Sequence, residues 1–230
     1  MSVDATRVGA VVVAGGSSRR MGFDKLWAEF GGRPVLGWTL AAFESCGAVD
    51  EVVVVAGAAR VEDVEQLVAR EGFGKVVRVV AGGSERHESV WNGLRALGDA
   101  AGVVAVHDAA RPLVTAGAIG RCVVAAAESG AVVLAHRVVE TVKRDDGDGC
   151  VGQAVERDGL WAMETPQAFR RELLVRAYEL VRARGEVVTD EVSAVQALGE
   201  KVVLLENLEP NLKVTVEGDL EMLKRWELKR

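Results

Sequence analysis

Between residues 11 and 25 the chain reads V-V-V-A-G-G-S-S-R-R-M-G-F-D-K. A β-branched run stops at Ala14, Gly15 and Gly16, a small-residue loop containing Ser18 follows, and Arg20 and Lys25 come close behind. Glycine lets a backbone approach a ligand closely, and successive N–H groups in such a loop form an anion-binding concavity. Arg20 offers a planar fork of donors and Lys25 a point charge, both suited to phosphate oxygens. The pattern points to a polyphosphate cradle, but not to either common phosphate loop. The dinucleotide fingerprint needs G-x-G-x-x-G, whereas glycines here fall at 15, 16 and 22. The P-loop needs Gly-Lys before Ser or Thr, whereas Lys25 lies between Asp24 and Leu26. A lone Gly-Gly pair reads as a turn; the cations behind it favour the cradle.

Other segments carry chemistry-bearing residues at strand or helix ends. In H-D-A-A-R-P at 107–112, Asp108 suits Mg²⁺, which takes one carboxylate together with substrate phosphates, and Arg111 can clamp a second phosphate. Standing alone, the same hexapeptide reads as an Asp-Arg pair locking a loop. G-G-S-E-R at 82–86 with Ser89 opens a helix: Gly82 and Gly83 allow flat approach of a base, and backbone groups with the serine hydroxyl can read its edge. T-P-Q at 165–167, T-D-E at 189–191 and N-L-K-V-T at 211–215 are polar clusters that singly read as caps or turns. His87, His107 and His136 show no ligand spacing and are read as structural.

The elements that must hold these residues follow from periodicity. After the first strand, Pro34 opens a helix over 35–45 with Gly47 as a left-handed cap, and a buried strand follows at 51–56. A helix at 60–70 puts Val61, Val64, Leu67 and Val68 on one face and ends at Gly72. Strands at 76–80, 103–107 and 132–135 alternate with helices at 84–97, with Ser84 as N-cap, and 115–129. Later come an amphipathic helix at 171–184, a short helix capped by Thr189, a strand at 201–206, an extended piece at 212–216 and a closing helix from 218. Apolar strands alternating with helices predict an α/β fold, a mostly parallel sheet with helices on both faces. Ligands in such sheets bind beyond the carboxyl ends of the strands. Residues 137–160 break the rhythm as two extended runs around D-D-G-D-G, a β-hairpin arm. A two-stranded arm is marginal alone, so it is expected to pack on a partner in a two-fold dimer, or else back over its own domain.

Length 230, 49% hydrophobic and 27% charged residues predict one globular domain over 1–230 with the arm as its appendage. A net charge of −6, with no basic stretch, excludes general nucleic-acid binding. Cys46, Cys122 and Cys150 form neither a disulfide framework nor a metal spacing. The apolar run at 8–14 is too short for a signal peptide, and nothing approaches membrane-spanning length. A cytoplasmic location, with no membrane partner, is the expectation.

Taken together and in order, these segments resemble the 2-C-methyl-D-erythritol 4-phosphate cytidylyltransferases of the non-mevalonate isoprenoid pathway. The resemblance spans residues 8 to 225 and also rests on E-T-V-K at 140–143 and E-R-D-G-L-W at 156–161. Family members commonly have Asp where this chain has Glu140, another glycine where it has Ser17 and Ser18, and proline where it has Asp24. R-M-G-x-D-K is also similar to the guanylyltransferases that modify molybdopterin, which lack the later motifs. The resemblance implies a Rossmann-like nucleotidyltransferase fold dimerising through the arm. It also implies transfer of a cytidylyl group from CTP to methylerythritol phosphate, with Mg²⁺, releasing pyrophosphate. By the same carry-over, Ala14, Gly15, Gly16, Ser18, Arg20 and Lys25 hold the triphosphate. Gly82, Gly83 and Ser89 sit at the cytosine. Asp108, Arg111, Thr141, Thr165, Thr189 and Lys213 surround the second substrate or the metal, and Arg157 reaches into the partner's site. Arg20, Lys25 and Lys213 are the catalytic cations. Alternatives are a cytidylyltransferase for another polyol phosphate such as ribitol 5-phosphate, and a non-catalytic nucleotide-binding module. The missing dinucleotide fingerprint makes a redox enzyme the weakest candidate.

Overall fold

Valine-rich runs become strands and the amphipathic runs between them become helices, as their side-chain periods require. The computed structural model describes residues 6–15 and 24–227; Gly16, Ser18 and Arg20 of the expected cradle lie outside the described residues. In chain order the elements are β1 (Arg7–Ala14), a small ribbon of β2 (Glu29–Phe30) and β3 (Arg33–Pro34), α1 (Val35–Ser45), β4 (Glu51–Ala56), α2 (Val61–Glu71), β5 (Val76–Ala81) and α3 (Arg86–Ala96). There follow β6 (Ala101–Asp108), α4 (Ala116–Ser129), β7 (Ala131–Arg137), the hairpin β8 (Val142–Asp145) and β9 (Val151–Val155), β10 (Trp161–Arg170), α5 (Arg171–Arg184), α6 (Glu191–Gln196), β11 (Val203–Glu206) and α7 (Glu217–Glu227).

Seven strands form one sheet in the order β11-β7-β10-β6-β1-β4-β5. All neighbours pair in parallel except β10, which runs antiparallel to both β6 and β7. Side chains alternate across the sheet. Ala10, Val12, Val52, Val54, Val103 and Ala105 pack into one core with α1, α2, α4 and α7. Val11, Val53, Val55, Val104 and Val106 pack into a second core with α3, α5 and α6. Burial on both faces explains why the strands read as near-continuous apolar runs.

β10 is the main departure from the sequence reading, which placed T-P-Q at an element's end. The segment is a ten-residue strand at the middle of the sheet. Its register against β7 slips between Met163 and Gln167, where Pro166 has no N–H to give the ladder. The caps also differ in detail. α1 ends on Cys46 in an extended conformation (φ −78°, ψ 107°), so Gly47 is not a left-handed cap; Gly72, at φ 71°, is one. α3 is capped by Glu85 rather than Ser84, in a reciprocal box with Glu88. α6 is capped by Asp190 rather than Thr189. Residues 212–216 form no strand; a bond from Val214 N to Ala110 O (2.8 Å) ties them to the sheet's end.

α3 sits flush against the sheet at Gly93. A Cβ there would lie 2.5 Å from Val11 Cγ1 and 2.7 Å from Val55 Cγ2, on side chains that are fully buried and stiff at χ1. In an exposed helix Gly93→Ala would gain about 1 kcal/mol, but overpacking a filled core costs roughly 1–3 kcal/mol. Gly93→Ala should therefore lower the midpoint of urea unfolding; a raised midpoint would show that the interface can give way.

Candidate active site

The expected edge of the sheet does carry a cavity. It encloses about 370 Å³ and is lined by Val13, Gly15, Lys25, Gly83, Arg86, Ser89, Asp108 and Lys213 among others. Three ladder-like bonds draw the strand ends together there: Ala109 N to Val13 O at 3.0 Å, Gly82 N to Ala56 O at 2.8 Å, and Val214 N to Ala110 O at 2.8 Å. Lys25 donates from Nζ to Val214 O at 2.8 Å, which joins the first loop to the segment bearing Lys213.

Asp108 is the centre of charge. Its Oδ2 lies 2.7 Å from Lys213 Nζ and 3.8 Å from Arg111 Nε, and its Oδ1 lies 3.3 Å from Arg86 Nη2. Burial alone would raise the Asp108 carboxyl, but the Arg86 and Lys213 cations more than offset it and hold it below the usual carboxylate range. Behind Arg86 stands Glu191, wholly buried, at 2.5 Å from Nη1 and 3.0 Å from Nη2. Tyr178 donates its hydroxyl to Glu191 Oε1 at 2.9 Å. Burial disfavours the Arg86 cation, yet the Glu191 carboxylate outweighs it and holds the guanidinium above its ordinary value. Breaking such a buried pair from one side costs about 3–5 kcal/mol.

The structure brings some of the expected residues together and leaves others apart. Lys25, Asp108 and Lys213 meet at the cavity with Gly15, Gly83 and Ser89. Thr165 is buried beneath them: its hydroxyl accepts from Asp108 N at 3.1 Å and faces His107 Nδ1 at 3.0 Å. Arg111 donates to Asn211 O (2.8 Å), so much of its fork braces the protein. Thr141 and Arg157 are exposed on the arm side, where Arg157 donates to Val139 O at 2.6 Å; neither lines this cavity. Thr189 is exposed, two residues before Glu191.

Gly82 and Gly83 have a local reason to be glycine. A Cβ at 82 would lie 2.6 Å from Ser89 Oγ and one at 83 would lie 2.4 Å from Glu88 Cβ. Ser89 itself accepts from Gly83 N and donates to Glu85 O, both at 3.1 Å. At Gly15, by contrast, a Cβ would meet ordinary contacts at 3.8 Å and beyond among the described residues, so packing against them does not demand the glycine.

A second, more open cavity of about 470 Å³ lies on the other side of Lys213, lined by Arg111, His136, Glu164, Asn207 and Asn211. Glu164 organises its wall. Its Oε2 accepts from Asn207 Nδ2 and Asn211 Nδ2, both at 2.8 Å, and its Oε1 lies 2.7 Å from His136 Nδ1. Sequence reasoning gave no role to Glu164, Arg86 or Glu191, although Arg86 and Glu191 lie within motifs it singled out and Glu164 adjoins one.

Comparison with known families matches residues 8–225 to the family described as IspD, 2-C-methyl-D-erythritol 4-phosphate cytidylyltransferase. The chain belongs to this family. Similar proteins include a 2-C-methyl-D-erythritol 4-phosphate cytidylyltransferase of Alkaliphilus metalliredigens, 40% identical over 94% of this chain and 91% of that one. The bifunctional enzyme IspD/IspF of Anaeromyxobacter sp. is 43% identical over 93% of this chain but only 55% of its own length. The chain thus spans about half the length of that bifunctional relative. Among solved structures, the 4-diphosphocytidyl-2C-methyl-D-erythritol synthase of Anaerococcus prevotii superposes with a TM-score of 0.86 at 28% identity, covering 99% and 100% of the two chains. The cytidylyltransferase of Thermus thermophilus follows at 0.78 and 32% identity, over 96% and 98%. The α/β nucleotidyltransferase fold read from the sequence is therefore the fold found, with β10 as its antiparallel exception.

The histidines of this cytidylyltransferase-family chain include one with a clear energetic signature. His107 is fully buried, packs on Phe43 at 5.2 Å, and its Nε2 faces Arg111 O at 3.3 Å. Burial pushes it down to about 3, against the opposing pull of Asp108. Between 6.5 and 3 the unfolded chain therefore takes up a proton that the folded chain refuses, so stability falls as pH falls. The His107 share of that slope approaches about 1.4 kcal/mol per pH unit. Urea unfolding at pH 7, 6 and 5 should show a steeper loss for the wild type than for His107→Asn; equal slopes would contradict it.

Proposed function

We propose that the chain transfers a cytidylyl group from CTP to 2-C-methyl-D-erythritol 4-phosphate, giving CDP-methylerythritol and pyrophosphate. Family membership over nearly the whole chain carries this reading. The cavity beyond the strand ends, walled by Lys25, Arg86, Asp108 and Lys213, agrees with it. In the reaction, an oxygen of the substrate phosphate forms a bond to the α-phosphorus of CTP as the bond to the bridging oxygen of the β-phosphate breaks. The released pyrophosphate carries that oxygen and its charge away. A phosphate monoester is already ionised enough to attack, so the chain need supply only position and charge. Lys25 and Lys213 act as catalytic cations in this reading, with Arg20 from the undescribed part of the cradle. Gly15, Gly82, Gly83 and Ser89 hold the nucleotide; Asp108, Arg111, Thr165 and Thr189 serve the polyol phosphate.

Magnesium belongs to the same proposal. The Asp108 carboxylate faces the cavity with Oδ1 held only at 3.3 Å by Arg86, which suits a hard cation taking its remaining oxygens from phosphates and water. Among the described residues no group of three or more His, Cys, Asp or Glu is arranged to hold a metal, so Asp108 would share the ion with the nucleotide. When bound, the ion supplies positive charge beside the phosphates.

The arm, 137–160, is proposed to pair two copies. Its Val139 and Val151 are 69% and 78% exposed, and a lone hairpin is marginal in water. Thr141 and Arg157 would then serve the site of the other copy, which fits their not being among the residues that line this chain's own cavity. No described helix is long and apolar enough to cross a membrane. All three cysteines are free thiols, in keeping with the proposed cytoplasmic location.

Pyrophosphate release, with Mg²⁺ and CTP, GTP, ATP or UTP crossed against methylerythritol phosphate and ribitol phosphate, tests the reaction. Release is expected only with CTP and methylerythritol phosphate; release with ribitol phosphate alone would move the chain to the other polyol, and CTP binding without release would make it a binding module. Lys25→Ala and Lys213→Ala should each reduce kcat by about 10²-fold or more, with little loss of melting temperature; unchanged turnover would remove that lysine from the mechanism. Sedimentation should give a dimer, and Arg157→Ala should raise the KM for the polyol phosphate while sparing CTP affinity. A monomer, or equal loss for both substrates, would refute the role of the arm.

A further inference from the structure

Four charged groups stand in a row of alternating sign, and only part of that row faces the cavity. Glu191, at the first turn of α6, is 0% exposed and cannot touch a substrate. It holds Arg86 on two nitrogens, at 2.5 and 3.0 Å. Arg86 Nη2 also reaches Asp108 Oδ1 at 3.3 Å, and Asp108 Oδ2 meets Lys213 Nζ at 2.7 Å. A wholly buried carboxylate is tolerated only when paired and hydrogen-bonded, and Glu191 is given both, with Tyr178 as the further donor at 2.9 Å. A guanidinium gripped in this two-pronged way has a fixed plane. Its hydrogen bonds go to two carboxylates, so it is committed to Asp108 rather than free to swing onto a phosphate. α6 is itself pinned to the same spot, because Gln167 of β10 accepts from Val192 N at 3.1 Å and donates to Asp190 at 3.2 Å.

We propose that Glu191 is a positioning residue for nucleotidyl transfer: it fixes Arg86, and through Arg86 fixes the Asp108 carboxylate opposite Lys213. The inference rests on the reading of this cavity as the transfer site. With Glu191 neutral, Arg86 keeps only Asp108 as counter-charge and draws it away from Lys213. The lysine then loses its fixed place relative to the charge that develops during transfer, while its attraction for a bound triphosphate persists.

Glu191→Gln keeps the shape and removes the charge. It is expected to lower kcat by about tenfold or more while changing the KM for CTP by less than about threefold. In an Asp108→Asn background the same substitution should cause little further loss, because residues acting through one group are not additive. Tyr178→Phe, which leaves both bonds to Arg86 in place, should cost less than about threefold. If Glu191→Gln does not fold, Arg86→Lys carries the test: it keeps the charge but loses the fork, and should show the same loss of kcat and the same non-additivity with Asp108→Asn. A folded Glu191→Gln or Arg86→Lys variant with wild-type kcat, or losses that add fully to that of Asp108→Asn, would overturn this inference alone. A wild type that binds CTP and releases no pyrophosphate with any partner would overturn the transfer reading, and this inference with it.

Discussion

A polar group taken into a protein interior must find a partner, and β10 carries three such residues through the middle of the sheet. Glu164, Thr165 and Gln167 are all buried, and each is satisfied by a different part of the molecule. Thr165 takes the N–H of Asp108, Glu164 takes the side chains of Asn207 and Asn211, and Gln167 takes Val192 N and meets Asp190. The end of β6, the segment bearing Lys213 and the start of α6 are thereby tied to one strand. Moving any of these pieces would leave a buried donor or acceptor orphaned, at about 1–3 kcal/mol each. Antiparallel β10 thus fixes three loops of the site at once, which a parallel strand ending at the same edge would not do.

The charges gathered at that point run against the rest of the chain. The whole sequence carries −6, yet Lys25, Arg86, Arg111 and Lys213 gather around Asp108, with Glu191 behind Arg86 and with Glu85, Glu164 and Asp219 close by. On a chain of negative net charge, cations gathered at one cavity favour a polyanion there over the rest of the surface. Asp108 is what makes the cluster stable without a ligand: it separates cations that would otherwise repel one another, and being held below the usual carboxylate range it stays ionised under neutral conditions.

Much of this was legible in the sequence, for an identifiable reason. Valine runs buried on both sides announce themselves, so β1, β4, β6 and β7 and the helices between them fell where periodicity put them, and the edge strand β5, though partly exposed, was legible from its valines. Glycine signals worked where the backbone required φ > 0, as at Gly72, and failed where the chain left the helix extended, as after Cys46. β10 escaped because its centre reads E-T-P-Q, polar and proline-bearing, which by pattern argues against a central strand. The pairing of Glu191 with Arg86 escaped for a related reason, although both residues lie in motifs that were read. A buried ion pair between residues 105 positions apart leaves no local spacing, and each residue alone looks like a solvated charge beside a cap. Thr189, Thr141 and Arg157 could be named from motif but not located, since their neighbours depend on how α6 and the arm are set in space.

The position of Lys213 gives these observations a common consequence. It lines both cavities, with Asp108 on one side and the Glu164–Asn211 wall on the other. In-line displacement at phosphorus needs the entering and leaving oxygens on opposite faces of the reacting atom, so two binding spaces meeting at one cation suit the geometry better than one deep pocket would. A lysine is a flexible point charge, and left alone it would follow whichever phosphate came first. Here its ammonium is held at 2.7 Å by a carboxylate, and the backbone two residues before it is held by a buried asparagine bonded to Glu164 Oε2 and Thr165 O, each at 2.8 Å. The constraint on its main chain comes from β10 and the constraint on its charge from Asp108. Both run back to the same antiparallel strand, because Thr165 holds the backbone of Asp108.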